Sequence, residues 1–336
     1  MSATGRLQLA ATVPGARLLG LGSLQPDRVV TNDELAARVD TNDEWIRSRV
    51  GIESRRIAEK DALLVEMAAE AGVRALKDSG VDPAEVDTVI VATCTMPDPI
   101  PNAAAQVAHR IGIPAPAAFD LNTACSGFSY GIAVAADLVR AGTAQNVLVI
   151  GAEKLSDWLD WDDRSTSIIF ADGAGAAVVG AAADPESVGI GPVAWGSAGD
   201  QHQTIRINPD TRALHQEGQA VFRWATTRVA PVALRAIELA GLTPADVDVL
   251  VPHQANLRIV EAVAKKLRQK GARDDMRVAD DIVHSGNTSS ASIPLALADA
   301  LDNGRIHNGD LVLLVGFGGG MTAGSCVLRW GGGLDG

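Results

Sequence analysis

Three residues stand where residue type and chain direction favour chemistry. Cys125 lies within AAFDLNTACSGFSYGIAVAADLVRAG, where Ala117 to Thr123 reads as a buried strand and a helical pattern runs from Ser126 to Gly142. The thiol is expected at a sharp strand-to-helix turn, where unpaired N–H groups and the helix dipole favour thiolate over thiol. Such a sulfur is suited to nucleophilic catalysis. His253 follows an apolar strand and precedes an amphipathic helix in DVLVPHQANLRIVEAVAKKLRQKG. Asn287 opens SGNTSSASIPLALADAL, where Gly286 and the Ser/Thr cluster make a loop and a helix cap. Gly318, Gly319 and Gly320 separate two apolar strands in LVLLVGFGGGMTAGSCVLRW. No GK[ST] follows and no GxGxxG opens a helix, so phosphate binding gives way to an oxyanion hole of backbone N–H groups beside the thiol.

Each feature taken alone also has a plain structural use. Free cysteine is among the most buried residue types, and that reading is kept for Cys94 at a strand end and Cys326 in SCVLRW. A histidine at a strand end can fill a loop, an asparagine can cap a helix, and a glycine run can close a hairpin. His109, His202, His215 and His307 sit on helix faces or in polar loops, and His284 lies three residues before Asn287.

What must position these residues is visible as an internal repeat. VRALKDSGVDPAEVDTVIV (Val73 to Val91) aligns without gaps on LRAIELAGLTPADVDVLVP (Leu234 to Pro252), with seven of 19 positions identical at an offset of 161. Each copy reads as a helix end, a glycine stop, a proline-containing turn and a β-branched strand. AADLVRAG (Ala135 to Gly142) matches LADALDNG (Leu297 to Gly304) at an offset of 162, and an apolar strand follows both. Two similar halves are expected, each alternating helices and strands. The offsets carry Cys125 onto Asn287 and Ala92 onto His253. Halves packed about a pseudo-twofold axis would bring Cys125, His253 and Asn287 together at their junction, where α/β proteins tend to place sites.

Composition narrows the class. The 336 residues are 47% apolar and 21% charged, which excludes disorder for most of the chain. Aromatics are only 4%, with Tyr130 the single tyrosine, so the core rests on Ala, Val, Leu and Ile, which permit close backbone approach. A net charge of −12 argues against nucleic acid and anionic membrane as partners. No apolar run reaches the roughly 18 residues of a membrane span, and the small-residue stretch from Gly173 to Ala183 is closed by Asp172 and Asp184. The N-terminal MSATGRLQLAATVPGARLLG lacks a secretory apolar segment, and the three cysteines share no close spacing. A cytoplasmic protein with free thiols and no metal is expected.

ACSGFSYG, VPHQANLRI, GNTSSASIP and FGGGMTAGS, in that order, resemble the 3-oxoacyl-acyl carrier protein synthase III family. DTNDEWIRSRVGIESRRIA and DDRSTSIIFADGAGAAVV extend the likeness from about Ala16 to Trp330. Asn287 matters to it, since related elongating enzymes use Cys-His-His and thiolases Cys-His-Cys. The resemblance implies an α/β thiolase-like fold, with two pseudo-symmetric βαβαβαββ-type halves in a five-layered α-β-α-β-α sandwich, and a homodimer. The halves would be 16–185, carrying Cys125, and 186–332, carrying His253 and Asn287.

It also implies an initiating condensing enzyme of type II fatty-acid synthesis, needing no cofactor. Cys125 would take an acyl group from acyl-CoA, with the N–H groups of Cys125 and Gly319 as the oxyanion hole. His253 and Asn287 would hold the thioester carbonyl of malonyl-acyl carrier protein while CO₂ leaves. Trp45, Arg49 and Arg164 would bind the CoA nucleotide. Arg223, Arg258, Lys265 and Lys266 would receive the acidic carrier protein, although Lys265 can also pair with Glu261 on a solvated helix face. Ile100 in CTMPDPIPNAAA takes the place of a Phe found in acetyl-preferring relatives, and across a dimer it would leave room for branched or longer primers. Trp195 to Glu217 matches nothing securely. Competing readings are a starter-unit ketosynthase or acyltransferase of a polyketide pathway and a cysteine hydrolase built on Cys125 and His253, which would not need Asn287. A non-catalytic binding partner with the same fold would be expected to lack Cys125.

Overall fold

The computed structural model describes residues 11–331; the first ten residues of the N-terminal stretch, and residue 332 at the expected end of the second half, lie outside the described residues. The chain begins with β1 (Ala16–Leu24), then a small antiparallel pair, β2 (Val29–Thr31) and β3 (Ser54–Arg56), with α1 (Asn32–Ala36) and α2 (Asp43–Val50) between them. Next come α3 (Leu64–Ser79), β4 (Thr88–Ala92), α4 (Ala103–Ile111), β5 (Ala117–Leu121) and α5 (Gly127–Arg140). β6 (Asn146–Lys154), α6 (Arg164–Ser167) and β7 (Asp172–Ala181) follow. Past them lie β8 (Ala194–Ser197), a hairpin of β9 (Ile205–Ile207) and β10 (Leu214–Gln216), and α7 (Gly218–Leu239). The remainder is β11 (Val249–Pro252), α8 (Leu257–Gln269), β12 (Arg277–Val278), α9 (Ile282–Ser285), α10 (Ser292–Asp302), β13 (Leu311–Gly318) and β14 (Thr322–Arg329).

The repeat appears as two sheets of one design. The first has strand order β1-β7-β6-β4-β5; the second, read from its corresponding edge, is β8-β14-β13-β11-β12. In each, a short β-branched strand next to one edge is parallel to both its neighbours (β4 to β5 and β6, β11 to β12 and β13), while the other two pairings are antiparallel. The sequence match marks the same turn in both: a left-handed glycine (Gly80, φ 68°; Gly241, φ 73°), then a capped proline turn at Pro83 and Pro244 that feeds β4 and β11.

Apolar packing sets the layers. α3 and α4 cover the outer face of the first sheet, α7 and α8 the outer face of the second, and α5 and α10 are buried between them. This is the five-layered sandwich, and small residues make its middle possible. A Cβ added to Gly127 at the start of α5 would lie 2.9 Å from the Cβ of Ala92 in β4, so the helix bearing the nucleophile seats against the sheet only without a side chain there.

Two expectations need correction. β5 is not a buried strand: it lies at the sheet edge, with alternate residues open and Phe119 37% exposed. Nor is Asn287 the counterpart of Cys125. The elbow before α5 turns on Ala124 (φ 47°) and the elbow before α10 on Ser289 (φ 50°), pairing Cys125 with Ser290. The offset found at the helix ends fails here because α5 has 14 residues and α10 only 11, the difference falling at their N-termini.

Candidate active site

One cavity of about 640 Å³ at the junction of the halves is lined by Cys125, His253 and Asn287 together. Their convergence, argued from the repeat, is therefore found, although the equivalence used for Asn287 was shifted.

Cys125 is 7% exposed and sits in the single turn between β5 and α5, behind a residue held in the left-handed region. The β13–β14 turn presses on it. A Cβ on Gly318 would stand 2.6 Å from the Cβ of Cys125 and 2.9 Å from its sulfur, so this position admits only glycine. Burial of the sulfur pushes the thiol up to about 11, against the Ser289 hydroxyl and the N–H groups of Gly319 and Cys125, which pull it down. The expected preference for thiolate is thus overturned: the hydrogen-bond donors act in the expected direction, but desolvation is larger. Because the thiolate is the nucleophile, acylation by a thioester should quicken about tenfold per pH unit between about pH 6 and pH 9, without a plateau. Stopped-flow acylation rates across that range check it, and a plateau near neutrality would contradict it.

His253 is 1% exposed directly after β11. Its N–H donates to the Val315 carbonyl at 2.8 Å, its ring meets Phe317 edge-on with centroids 5.1 Å apart, and its Nδ1 lies 2.6 Å from the Ser292 hydroxyl. Burial pushes its pKa down to about 3, so the ring is neutral at physiological pH. Asn287, 3% exposed, bridges the halves: its N–H donates to the Ile169 carbonyl and its carbonyl accepts from Ala171, both at 2.9 Å. Its Oδ1 accepts from the Ser289 N–H at 2.8 Å, a local turn bond two residues on; the helix cap read from the sequence is not formed, since α10 is preceded by Ala291 at its N-cap. With the oxygen so engaged, the amide nitrogen is left for the cavity.

Several supports escaped the sequence reading. Gln254, fully buried, donates to the Pro252 and Ala279 carbonyls and accepts from the Ile282 N–H, tying the loop of His253 to the segment that leads to Asn287. Glu153, next to last in β6, is completely buried and accepts from Thr95 (2.6 Å) and Ser290 (2.7 Å), clamping the loop after β4 to the second elbow. Burial raises its pKa. The unread segment from Trp195 to Glu217 holds the β9–β10 hairpin, whose Ile205 and Gln216 form one cavity wall. Its signal was present in RINPDTRALH, alternating residues around an Asn-Pro-Asp turn.

The remaining expected residues divide. Trp45 and Arg49 line the cavity, and the guanidinium groups of Arg164 and Arg49 lie 5.0 and 5.6 Å from the Trp45 ring. Arg164 is outside the lining and donates to the Asp40 carbonyl at 2.6 Å. Arg223 and Arg258 line the cavity, with Arg258 over Phe222 at 5.3 Å. Lys265 and Lys266 are exposed further along α8 and do not reach it. Ile100 does not line the cavity within one chain and is 84% exposed. His284 is exposed and outside the site. Among the described residues no group of three or more His, Cys, Asp or Glu is placed to hold a metal, and no helix is long and apolar enough to cross a membrane.

Family models for 3-oxoacyl-[acyl-carrier-protein] synthase III match residues 119–199, and those for its C-terminal part match 237–330. The first span holds Cys125, the second His253, Asn287 and Gly319. The chain is 52% identical over 315 residues to beta-ketoacyl-[acyl-carrier-protein] synthase III 4 of Streptomyces coelicolor, covering 94% of this chain and 98% of that one. This chain belongs to the 3-oxoacyl-[acyl-carrier-protein] synthase III family. A mycobacterial synthase III of Mycolicibacterium paratuberculosis is 45% identical over 335 residues, 96% of this chain and 98% of that relative. Among crystal structures, the synthase III of Aquifex aeolicus superposes with a TM-score of 0.89 at 38% identity, covering 94% of this chain and all of that one. The priming beta-ketosynthase of the R1128 polyketide pathway superposes at 0.91 with 40% identity, covering 97% and 98%. Synthase III members thus share this fold over nearly the whole chain.

Proposed function

We propose that this chain is the initiating condensing enzyme of type II fatty-acid synthesis, a cytoplasmic acyltransferase that needs no cofactor. One observation carries the reading: a thiol beside backbone N–H groups shares a cavity with a neutral imidazole and an amide nitrogen free to donate.

In the first stage the Cys125 sulfur attacks the thioester carbon of acyl-CoA. The oxyanion rests on the N–H groups of Cys125 and Gly319, the bond from carbon to the CoA sulfur breaks, and the thiol proton ends on the released CoA. In the second, His253 and Asn287 donate to the thioester oxygen of malonyl-acyl carrier protein. The bond to the carboxylate breaks, CO₂ leaves, and its electron pair becomes an enolate held by those two donors. The enolate carbon attacks the acyl-cysteine, 3-oxoacyl-carrier protein departs, and the Cys125 sulfide takes a proton from water. Loss of CO₂ creates the carbanion without a base, so neutral donors suit the step better than a proton acceptor. That separates this reading from a cysteine hydrolase.

Intact-mass analysis after incubation with a panel of acyl-CoAs tests the first stage, and discharge of the adduct by malonyl-acyl carrier protein with CO₂ release tests the second. No adduct at Cys125 with any acyl-CoA would sink the proposal. The R1128 relative keeps a second reading in view, a priming ketosynthase for a polyketide. Transfer of the product to a polyketide carrier protein in preference to a fatty-acid one would favour it.

Trp45, Arg49 and Arg164 are assigned to the CoA nucleotide, and Arg223, Arg258, Lys265 and Lys266 to the carrier protein. Lys265 and Lys266 stand off the cavity, so the double exchange Lys265→Glu, Lys266→Glu should raise KM for malonyl-acyl carrier protein about tenfold and leave KM for acyl-CoA unchanged. Steady-state kinetics with each substrate varied separately decide this.

The enzyme is proposed to act as a homodimer joined along β5, whose open edge carries Phe119 near the Ile100 loop, so that Ile100 closes the partner's acyl pocket. Ile100→Phe is then expected to shift primer preference toward acetyl-CoA by about tenfold over a branched five-carbon acyl-CoA. Competition assays with the two primers measure the ratio, and an unchanged ratio argues against Ile100 as a pocket residue.

A further inference from the structure

Resting on the reading of His253 as a donor, we infer that Ser292 is a positioning residue that fixes His253 in the Nε2–H tautomer and so points a proton at the malonyl carbonyl. A neutral imidazole has one donor and one acceptor nitrogen, and the partner of one decides the role of the other. Ser292 is 1% exposed at the first position of α10, and its hydroxyl oxygen lies 2.6 Å from Nδ1. The same oxygen accepts the Gln254 N–H at 3.3 Å. Among the described residues the Ser292 hydroxyl proton has no acceptor but Nδ1. The opposite assignment would crowd two N–H donors onto one oxygen and orphan a buried O–H, which costs about 1–3 kcal/mol. Nδ1 therefore accepts, and the proton resides on Nε2, which has no partner among the described residues and belongs to the cavity wall.

The same short segment sets the other donor. Asn287 spends its oxygen on the Ser289 N–H, and Ser292 spends its proton on His253. Residues 287–292 thereby aim both donors into the cavity, and Gln254 ties their segment to the histidine loop.

The test compares Ser292→Ala and Ser292→Thr in the full-length enzyme. Acylation by acyl-CoA, malonyl-acyl carrier protein decarboxylation and the ¹⁵N spectrum of histidine-labelled protein are measured, with His253→Ala assigning the ring signals. Ser292→Ala is expected to acylate at the wild-type rate but decarboxylate about tenfold to a hundredfold more slowly, mostly in kcat. Its His253 signals should move from a single Nε2–H form to a mixture, and Ser292→Thr should restore both. Unchanged tautomer or unchanged decarboxylation in Ser292→Ala overturns the inference. Equal loss of both half-reactions, without rescue by threonine, overturns it too, since Ser292 would then merely pack the site. If His253→Ala itself decarboxylates normally, the reading of the site fails rather than the role of Ser292 alone.

Discussion

Cys125→Ala should abolish acyl-enzyme formation and lower condensation by on the order of a thousandfold or more, while the protein stays folded. No other cysteine can take over. Cys94 is held well above the ordinary thiol range by burial and by the nearby Glu153 carboxyl, and Cys326 is pushed up to about 12 by burial. Neither lines the cavity. Removing one sulfur from a buried turn costs about 1 kcal/mol, a small part of the stability of a chain this size, so thermal melting should barely move. The variant keeps His253 and Asn287, and malonyl-acyl carrier protein should still lose CO₂ on it, yielding acetyl-carrier protein with no 3-oxo product. Intact mass after incubation with acyl-CoA reads the first effect and product chromatography the second. An acyl adduct on the variant would place the nucleophile elsewhere.

The sequence made the fold readable because its two halves share local punctuation as well as hydrophobic pattern. Gly80 and Gly241 stop their helices in the same left-handed conformation, and Pro83 and Pro244 start the same turns, so the alignment there survives in three dimensions. It failed at the elbows because a gap-free offset cannot register the three residues by which α10 is shorter than α5. The edge position of β5 was hidden for a related reason. Its apolar residues Ala117, Ala118 and Phe119 read as a buried strand, but sheet order is set by long-range pairing that local pattern does not encode.

At the site, residue types were legible and their electrostatic states were not. The turn at Cys125 and the loops of His253 and Asn287 follow from strand-to-helix switches in the sequence. The direction of the Cys125 shift depends on how completely the sulfur is desolvated, and that is set by long-range packing such as the close approach of Gly318, almost two hundred residues away. Gln254 and Glu153 were invisible because a buried polar residue is recognised by its partners, and those lie far along the chain: Ala279 and Ile282 for Gln254, and Ser290 in the other half for Glu153.

Removing either donor should divide the reaction in two. His253→Ala and Asn287→Ala are each expected to accept an acyl group on Cys125 at near the wild-type rate, yet to decarboxylate malonyl-acyl carrier protein about 10²- to 10³-fold more slowly, as for loss of one oxyanion donor. The asymmetry follows from the geometry. Acylation draws on the N–H groups of Cys125 and Gly319, which neither substitution touches, whereas the enolate has only the two side-chain donors. His253 does not titrate above about pH 5, since burial holds its pKa near 3, so it enters acylation neither as a cation beside the thiolate nor through a titration near neutrality. The double variant should fall by less than the product of the single effects, because the two donors serve one oxygen and act as a unit. Rapid-quench measurement of acylation and CO₂ release, each in a single turnover, separates the stages. If either variant, shown to be folded by its melting curve, loses acylation as severely as decarboxylation, His253 or Asn287 must act on Cys125 itself, and the division of labour between backbone and side-chain donors is wrong.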